Sequence, residues 1–318
     1  MNIDDVAALG RRLHAEIGKA VIGQDEAINR LLIALFASGH VLLEGPPGTA
    51  KTFLAQCFSR TLSLDFSRIQ FTPDLMPSDI IGASLFNFQT SSFSLTRGPV
   101  FTDILLADEI NRTPPKTQAA LLEAMQERIV TIDGEPHALG DHFLVIATQN
   151  PVEQQGVYPL PEAQLDRFMF KLDIGYPDEE AERRIVAQYG NRFGAPKPAD
   201  YGIEAIATGE DIKACAEVIK AVSLVDEVTD YVVRLVRASR NVAELSVGAS
   251  PRAAVVLAGA ARAHAALDGR DYTVPDDVKL LARSVLRHRV MLSPQAEIDG
   301  RSVDEVVETL IATAEAPR

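Results

Sequence analysis

Cysteine, histidine and tryptophan are scarce in this chain of 318 residues. It has two cysteines, six histidines and no tryptophan. Cys57 and Cys215 lie far apart in segments with a helical pattern, which excludes a disulfide framework and favours a reducing compartment. The histidines are scattered without the spacing of zinc ligands, so the sequence indicates no zinc site.

Long apolar runs and an excess of positive charge are also missing. No segment approaches the roughly 18 apolar residues of a membrane span, and residues 1–13 carry charges that a signal peptide would not. We therefore expect a cytoplasmic protein without a membrane span. Lysine and arginine number 31 against 44 acidic residues, a formal net charge of −13. Because a groove for a nucleic-acid backbone is basic, nucleic acid is disfavoured as the main partner.

The order of apolar segments predicts an α/β region followed by a helical region. Short apolar runs typical of buried parallel strands occupy residues 41–43, 104–107, 144–148 and 168–172, with a fifth candidate at 66–71. Helical patterns lie between them, for example at residues 52–61 and 117–127. After Tyr176-Pro177 the pattern is helical, apart from a Gly/Pro-rich loop at 191–198. We therefore predict an α/β domain at residues 1–177 and a smaller all-α domain at residues 178–318.

Two segments interrupt this alternation with the pattern of β-hairpins. Residues 85–96 alternate in polarity and would set Phe86 and Phe88 against Phe93 and Leu95. Residues 128–139 contain the turn sequence Asp133-Gly134, a strong hairpin signal. Ordinary surface hairpins are the alternative interpretation of both.

A glycine-rich loop follows the strand at residues 41–43 and leads into a helix: Gly45, Pro46, Pro47, Gly48, Thr49, Ala50, Lys51 and Thr52. Backbone N–H groups in such a loop surround a phosphate, and glycines let the loop close around it. The lysine then reaches the β- and γ-phosphates, and the Thr52 hydroxyl reaches Mg²⁺. Ala50 departs from the strict pattern, which has glycine there. The alternative is a structural turn.

Two other strands end in residues that suit phosphate chemistry. Asp108 and Glu109 follow the strand at 104–107, where the first suits Mg²⁺ binding and the second suits activation of a water molecule. Asn150 follows the strand at 144–148 and suits holding that water near the γ-phosphate. The alternatives are a solvated strand end for the carboxylates and an ordinary turn for Asn150.

Two arginines outside these segments are candidates for contact with phosphate. Arg167 precedes the last strand, where it suits a finger that stabilises transition-state charge on a neighbouring subunit's nucleotide. Arg252 lies in the first turn of a helix, where its charge opposes the helix dipole unless an anion is bound. The alternatives are a surface pair of Asp166 with Arg167 and a merely exposed Arg252. A cationic cluster at a later helix end suits the helix dipole: Arg283, Arg287, His288 and Arg289.

In this order and spacing the segments resemble the AAA+ ATPases and, within them, the MoxR family. The resemblance covers nearly the whole chain, from VIGQ at residues 21–24, the adenine-side box that contains Gly23, to the last helices. The segments specific to MoxR proteins are FTPDLMPSDI at 71–80, DEINR at 108–112, EAMQE at 123–127 and ATQNP at 147–151. Alanine is common at position 50 in that family.

The resemblance implies a five-stranded parallel sheet with two β-hairpin inserts, followed by a helical lid, with ATP and Mg²⁺ between sheet and lid. The residues it implies are Lys51 and Thr52 as Walker A, Asp108 and Glu109 as Walker B, Asn150 as sensor 1, Arg167 as arginine finger and Arg252 as sensor 2. It leaves open whether Arg252 acts on its own nucleotide or on a neighbour's. In related ring ATPases such hairpin inserts often face the central channel.

The resemblance also implies a ring, usually a hexamer, that hydrolyses ATP to remodel or assemble a protein client, metal-cofactor maturation included. MoxR proteins commonly act with partners that carry a von Willebrand factor A domain, which we expect on a separate chain. Three alternatives stay open: the ATPase subunit of a metal chelatase-like complex, a DNA helicase or loader, and a nucleotide-gated scaffold with little turnover. The acidic chain argues against the second, and Glu109 and Arg167 argue against the third.

Overall fold

The computed structural model describes residues 1–87, 91–151, 156–191, 194 and 196–317. In the first part of the chain the helices are α1 (Ile3–Gly18), α2 (Asp25–Phe36), α3 (Lys51–Arg60), α4 (Pro77–Ile81), α5 (Pro115–Glu127) and α6 (Glu162–Leu165). The strands of this part are β1 (Val41–Glu44), β2 (Leu62–Ser63), β3 (Phe66–Gln70), β4 (Gly82–Asn87), β5 (Ser92–Arg97), β6 (Ile104–Asp108), β7 (Ile129–Ile132), β8 (Glu135–Ala138), β9 (Leu144–Gln149) and β10 (Phe170–Asp173).

The second part is mainly helical. Its helices are α7 (Glu179–Tyr189), α8 (Gly209–Lys220), α9 (Asp226–Ala238), α10 (Pro251–Leu267), α11 (Pro275–Leu286), α12 (Pro294–Ile298) and α13 (Val303–Thr313). Three short strands that the sequence pattern did not predict also occur here: β11 (Ala207–Thr208), β12 (Leu245–Val247) and β13 (Met291–Leu292). Among the described residues, no helix is both long enough and apolar enough to cross a membrane.

The predicted five-stranded parallel sheet is confirmed, with strand order β10-β1-β9-β6-β3. Successive residues of β1 point to opposite faces, so Val41 and Leu43 join one apolar cluster and Leu42 joins the other. Both faces are therefore covered, as the apolar strands require. The chain leaves β1 and β9 towards opposite edges of the sheet, and ligands of open α/β sheets bind where strand order reverses in this way.

The helical region shares one apolar core with the beginning of the chain. Side chains of α1 and α2, such as Leu13 and Leu31, belong to the same buried cluster as Leu257 of α10 and Leu281 of α11. Strand β11 also pairs in parallel with β2. The division into domains at residues 177 and 178 stays a prediction, and α1 and α2 pack with the helices that follow that division.

Both hairpins are present among the described residues. Strand β4 pairs antiparallel with β5, which sets Phe86 opposite Phe93, whereas the predicted partner Phe88 lies outside the described residues. Strand β7 pairs antiparallel with β8. Its turn has φ +51° at Asp133 and φ +87° at Gly134, the left-handed pair that a tight two-residue hairpin turn requires.

Candidate nucleotide-binding site

The loop between β1 and α3 has a conformation that requires its glycines. Gly48 has φ +84° and Ala50 has φ +61°, both in the left-handed region. A Cβ atom at Gly45 would lie 2.2 Å from the carbonyl oxygen of Ile174, so glycine is needed there. The conformation of Ala50 costs a non-glycine residue about 1–2 kcal/mol. Such strained residues cluster at ligand-binding sites.

Lys51 begins α3, and its ammonium group lies over the loop. Nζ donates hydrogen bonds to the carbonyl oxygens of Gly45 at 2.7 Å and Pro46 at 2.8 Å. Burial lowers the pKa of Lys51, while the negative charges of Asp108 and Glu109 act in the opposite direction. Because a cation at a helix N-terminus opposes the helix dipole, a bound anion would stabilise this arrangement. The loop therefore suits a phosphate group.

The carboxylate of Asp108 is the centre of a buried polar cluster. It is 5% exposed. Thr52 Oγ1 donates to it at 3.1 Å, Thr148 Oγ1 donates at 2.7 Å, and Arg68 Nη2 donates at 2.7 Å. A hydroxyl and a carboxylate this close are oxygen ligands of the kind that Mg²⁺ binds, so Thr52 and Asp108 fit the predicted metal. No local sequence pattern indicates Arg68 as a site residue, because only the pairing of β3 with β6 brings it beside Asp108.

Glu109 follows Asp108 in a strained backbone conformation, with φ +58°. Its N–H donates to Thr148 Oγ1 at 2.9 Å. Its carboxylate accepts from Gln70 Nε2 at 2.8 Å, and Arg112 Nε lies 3.1 Å from the same oxygen. This conformation costs a non-glycine residue about 1–2 kcal/mol, a strain that functional sites often retain. The structure therefore adds Gln70 and Arg112, which the sequence did not identify as neighbours of the predicted base.

A cavity of about 290 Å³ brings the predicted phosphate residues together. It is lined by Pro47, Gly48, Thr49, Ala50, Lys51, Thr52, Phe53, Asp108, Glu109, Thr148, Gln149 and Asn150. Asn150 is 6% exposed, and its carbonyl oxygen accepts a hydrogen bond from Asn111 Nδ2 at 3.2 Å. Residues from three strand ends thus face one space, as the sequence predicted for Lys51, Asp108 and Asn150.

A second cavity of about 420 Å³ adjoins the first and shares Gly48, Thr49, Ala50 and Phe53 with it. Its further lining is Ala20, Val21, Ile22, Gln24, Pro177, Ile185, Tyr189, Gly194, Pro196, Asp200 and Tyr201. The Phe53 and Tyr201 rings meet edge to face at 5.5 Å, and Tyr189 meets Tyr201 at 5.0 Å. An apolar space beside a phosphate loop suits a nucleobase. The sequence did not identify these aromatic residues, which come from segments far apart in the chain.

Gly23 does not line this second cavity, although its neighbours Ile22 and Gln24 do. It has φ +75°, and a Cβ atom there would lie 2.9 Å from that of Ala181. Glycine is therefore needed at position 23 for its conformation: it lets the chain turn tightly beside α7, and this turn brings Ile22 into the lining of the cavity.

Two family models and several known proteins match this chain. The model of the ATPase family associated with various cellular activities (AAA) matches residues 40–170, and the AAA lid domain model matches residues 237–310. The chain is 44% identical to Chaperone MoxR1 of Mycobacterium tuberculosis, over 95% of this chain and 81% of that protein. It is 43% identical to the YeaC protein of Bacillus subtilis, over 96% of both.

The chain belongs to the MoxR family of AAA+ ATPases. A crystal structure of a candidate ATPase from Cytophaga hutchinsonii has the same fold, with a TM-score of 0.88 and 41% identity. It covers 99% of this chain and 98% of its own. Residues 40–170 of this MoxR-family chain include all the predicted site residues except Gly23 and Arg252, and Arg252 lies within the lid match.

Two predicted residues of the MoxR-family site lie at the opposite edge of the sheet. Arg167 precedes β10, and β10 runs parallel to β1, so Arg167 lies at the amino ends of these strands. Arg252 is exposed; burial lowers the pKa of both His40 and Arg289, and the positive charge of Arg252 lowers both a little further. His40 precedes β1, whose other end continues into the phosphate loop. At about 3.3 Å per residue, some 16 Å of strand separates His40 from Gly45.

Proposed function

We propose that this chain hydrolyses ATP with Mg²⁺ and uses the energy for chaperone-like remodelling or assembly of a protein client in the cytoplasm. The observation that carries the proposal is the convergence of Lys51, Thr52, Asp108, Glu109 and Asn150 on one cavity, beside an apolar cavity of the size that a nucleobase needs. Membership of the MoxR family supports the same activity.

Each side chain has a role that follows from its chemistry and its contacts. Loop N–H groups and Lys51 would bind the phosphates, and Thr52 and Asp108 would hold Mg²⁺, which supplies charge neutralisation to the phosphates. Glu109 would orient the attacking water and take its proton, and Asn150 would hold that water in line. Gln70 and Arg112 hold Glu109 in the present structure, so it must exchange these partners to reach the water.

Arg167 and Arg252 would act on the nucleotide of a neighbouring subunit. Both lie at the amino edge of the sheet, whereas the phosphate loop lies at the carboxyl edge. A subunit therefore presents its loop on one side and its arginines on the other. A head-to-tail ring, which we propose to be a hexamer, satisfies both sides at once.

The test is the ATPase rate per subunit at increasing protein concentration. We expect the rate to rise and level off as subunits associate. Arg167→Ala should lower the plateau by about 10³-fold or more, as loss of an arginine finger does. Arg183→Ala, in an exposed residue of α7, is the matched control and should leave the rate unchanged. A rate that is independent of concentration and of Arg167 would refute the proposed shared site.

Two further variants test the chemistry itself. Lys51→Ala should abolish ATP binding, and Glu109→Gln should keep ATP bound while slowing hydrolysis by about 10²–10⁴-fold. Filter binding of radiolabelled ATP, followed by analysis of the bound nucleotide, separates the two effects. Turnover at the unmodified rate in Glu109→Gln would exclude Glu109 as the base.

The exposed apolar side chains of β4 and β5 are the proposed contact with the client. Leu85 is 57% exposed and Phe93 is 72% exposed. Phe86, 42% exposed, meets the Phe93 ring at 5.1 Å. Exposed apolar groups clustered in this way mark interaction sites. We expect Phe93→Ser to remove stimulation of the ATPase by an unfolded probe, reduced carboxymethylated α-lactalbumin, and to leave the basal rate intact.

The proposed partner is a separate protein with a von Willebrand factor A domain. Its role would be to select the client, since the chain itself is expected to act as the motor. Purification of a tagged chain from its own cells, followed by identification of bound proteins, tests this. Recovery of a tetrapyrrole chelatase in place of such a partner would favour the chelatase-like alternative.

A further inference from the structure

Arg289 is a buried arginine whose donors are fully used. It follows α11, and its side chain is 2% exposed. A guanidinium carries five N–H groups in a rigid fork. Its acceptors are Asp166 Oδ1 at 2.7 Å, the carbonyl oxygens of Asp166 at 3.0 Å, Phe168 at 2.6 Å and Met169 at 3.2 Å, and the carbonyl oxygen of Val285. A positive charge that merely complemented the helix dipole would need only the last of these.

Four of these five bonds go to the segment that contains Arg167. Asp166 and Phe168 are the chain neighbours of Arg167, so Arg289 donates hydrogen bonds to the backbone on both sides of Arg167. His288 adds a contact of 2.9 Å between its Nε2 and the Phe168 carbonyl oxygen. The main chain around Arg167 is therefore fixed to the end of α11.

The same contacts set the boundary of the last strand. The apolar run at residues 168–172 predicted a strand, but β10 begins at Phe170. The carbonyl oxygens of Phe168 and Met169 accept from Arg289. The carbonyl oxygens of these two residues are thus held to the helical region, whereas the Met169 N–H donates to the His40 carbonyl oxygen at 2.7 Å and regular pairing with β1 begins at Phe170.

The guanidinium charge of Arg289 is buried, which costs free energy that its hydrogen bonds must offset. Burial lowers the pKa of Arg289, Asp166 acts in the opposite direction, and the charge of Arg252 lowers it further. A buried ion pair contributes little to stability compared with well-packed apolar residues, but it fixes geometry because each donor has one acceptor. A second arginine nearby, Arg287, pairs with Asp173 and Asp304 rather than with residues 166–169.

We propose that Arg289 is a positioning residue for Arg167. It fixes the segment between α6 and β10 to the end of α11, so that the orientation of Arg167 towards the neighbouring subunit depends on the lid helices. A change in the lid on nucleotide binding would then move the finger that acts on the next site. This inference rests on the proposed role of Arg167.

The test uses Arg289→Lys, which keeps the charge but cannot form the fork. Asp166→Asn is a second, milder variant, since it leaves the carbonyl contacts in place. Arg283→Lys is the matched control, because Arg283 pairs with Asp304 and not with this segment. For each variant we would measure the Kd of a fluorescent ATP analogue and the ATPase rate, alone and in mixed rings.

We expect Arg289→Lys and Asp166→Asn to bind the ATP analogue with an unchanged Kd. Their ATPase rates should fall by up to about 100-fold, the cost of misplacing a catalytic group by about 1 Å. The control Arg283→Lys should match the unmodified chain in both measurements.

Mixed rings distinguish positioning from a general loss of structure. Glu109→Gln subunits bind ATP but hydrolyse it very slowly, and they carry an intact Arg167 and Arg289. Mixing them with Arg289→Lys subunits should restore hydrolysis at sites where a Glu109→Gln subunit supplies the finger. Mixing Arg289→Lys with Arg167→Ala should restore none.

Two sets of results distinguish failure of the positioning role of Arg289 from failure of the proposed finger role of Arg167. If Arg167→Ala is rescued by Glu109→Gln subunits but Arg289→Lys and Asp166→Asn are not, the positioning role is wrong while the finger stands. Full ATPase activity of both Arg289→Lys and Asp166→Asn, each without mixing, would also refute the positioning role and leave the finger in place. If Arg167→Ala itself hydrolyses ATP at the unmodified rate, the proposed finger fails.

Discussion

Asp277 joins α10 to α11, the two helices at whose ends Arg252 and Arg289 lie, and its removal gives the sharpest stability prediction. Its carboxylate is 1% exposed. Arg270 donates to it at 2.6 and 2.9 Å, the Val274 N–H donates at 2.8 Å, and His264 Nδ1 lies 2.6 Å away. These contacts close the first turn of α11 and hold the end of α10 against it. Asp277→Asn removes the charge and keeps the shape.

The expected loss follows from the pKa of this carboxyl group. Burial alone would raise it, but the hydrogen bonds from Arg270, His264 and Val274 outweigh burial and lower the pKa of Asp277 from 3.8 to about 2. At about 1.4 kcal/mol per pKa unit, the ionised form contributes about 2.5 kcal/mol to the free energy of unfolding.

The pH dependence has a definite sign. Because the pKa is lower in the folded state, the contribution is complete above pH 3.8 and is lost as the pH falls towards 2. About half of it should remain at pH 3. The difference between the unmodified chain and Asp277→Asn should therefore be about 2.5 kcal/mol at pH 7 and roughly half of that at pH 3.

Urea unfolding followed by circular dichroism at pH 7 and pH 3 measures this difference. Asp276→Asn is the matched control, because Asp276 is exposed and lies 3.9 Å from Lys279. It should change stability by less than about 0.5 kcal/mol. A difference for Asp277→Asn below that value at pH 7, or one that does not shrink at pH 3, would refute the reasoning.

Three further variants test the nucleotide site. Thr52→Val should remove the strengthening of ATP binding by Mg²⁺ while leaving metal-free binding unchanged, as measured by titration of a fluorescent ATP analogue with and without Mg²⁺. Arg68→Gln should free Asp108 from an ion pair that contributes about 1 kcal/mol, so the Mg²⁺ concentration needed for half-maximal ATP binding should fall by about fivefold; no change would exclude that competition. Tyr201→Ala should weaken ATP binding by about tenfold through lost contact with the base, and inorganic triphosphate, which has no base, should compete equally well in both proteins.

The sequence was sufficient for the parts of the site that lie on single loops. The residues from Gly45 to Thr52 and the pair Asp108 and Glu109 each follow one apolar strand, so strand pattern and loop composition together locate them. Parallel pairing then brings them to one edge. The five strands were predictable for the same reason, because buried parallel strands are short and continuously apolar.

Residues that depend on strand order or on packing between distant segments were not predictable. Arg68 and Gln70 reach the carboxylates of Asp108 and Glu109 because β3 lies beside β6, and no local pattern indicates that pairing. Tyr189 and Tyr201 line the second cavity only because the helical region packs beside the phosphate loop. Arg289 was interpreted as a helix-dipole charge, since sequence does not reveal that its donors point at Asp166 and Phe168.

Among the described residues, the charged side chains that line the phosphate cavity, Lys51, Asp108 and Glu109, are already paired with protein. Lys51 donates to loop carbonyl oxygens, Arg68 holds Asp108, and Gln70 and Arg112 hold Glu109. In the proposed function, ATP with Mg²⁺ would replace these pairs, so part of the binding energy would go into releasing them.

In the proposed ring, the arginines at the other edge of the sheet would make hydrolysis depend on a second subunit. Release of Glu109 would prepare the base, and Arg167 of a neighbouring subunit, whose backbone Arg289 fixes to its own lid helices, would help to stabilise the charge that develops on the phosphates. Hydrolysis would therefore report two things at once: that one subunit has bound nucleotide, and that the lid of the next is in place. A ring built on such contacts could pass a conformational change from site to site without a separate signalling element, because four hydrogen bonds from Arg289 join the segment of Arg167 to the lid helices.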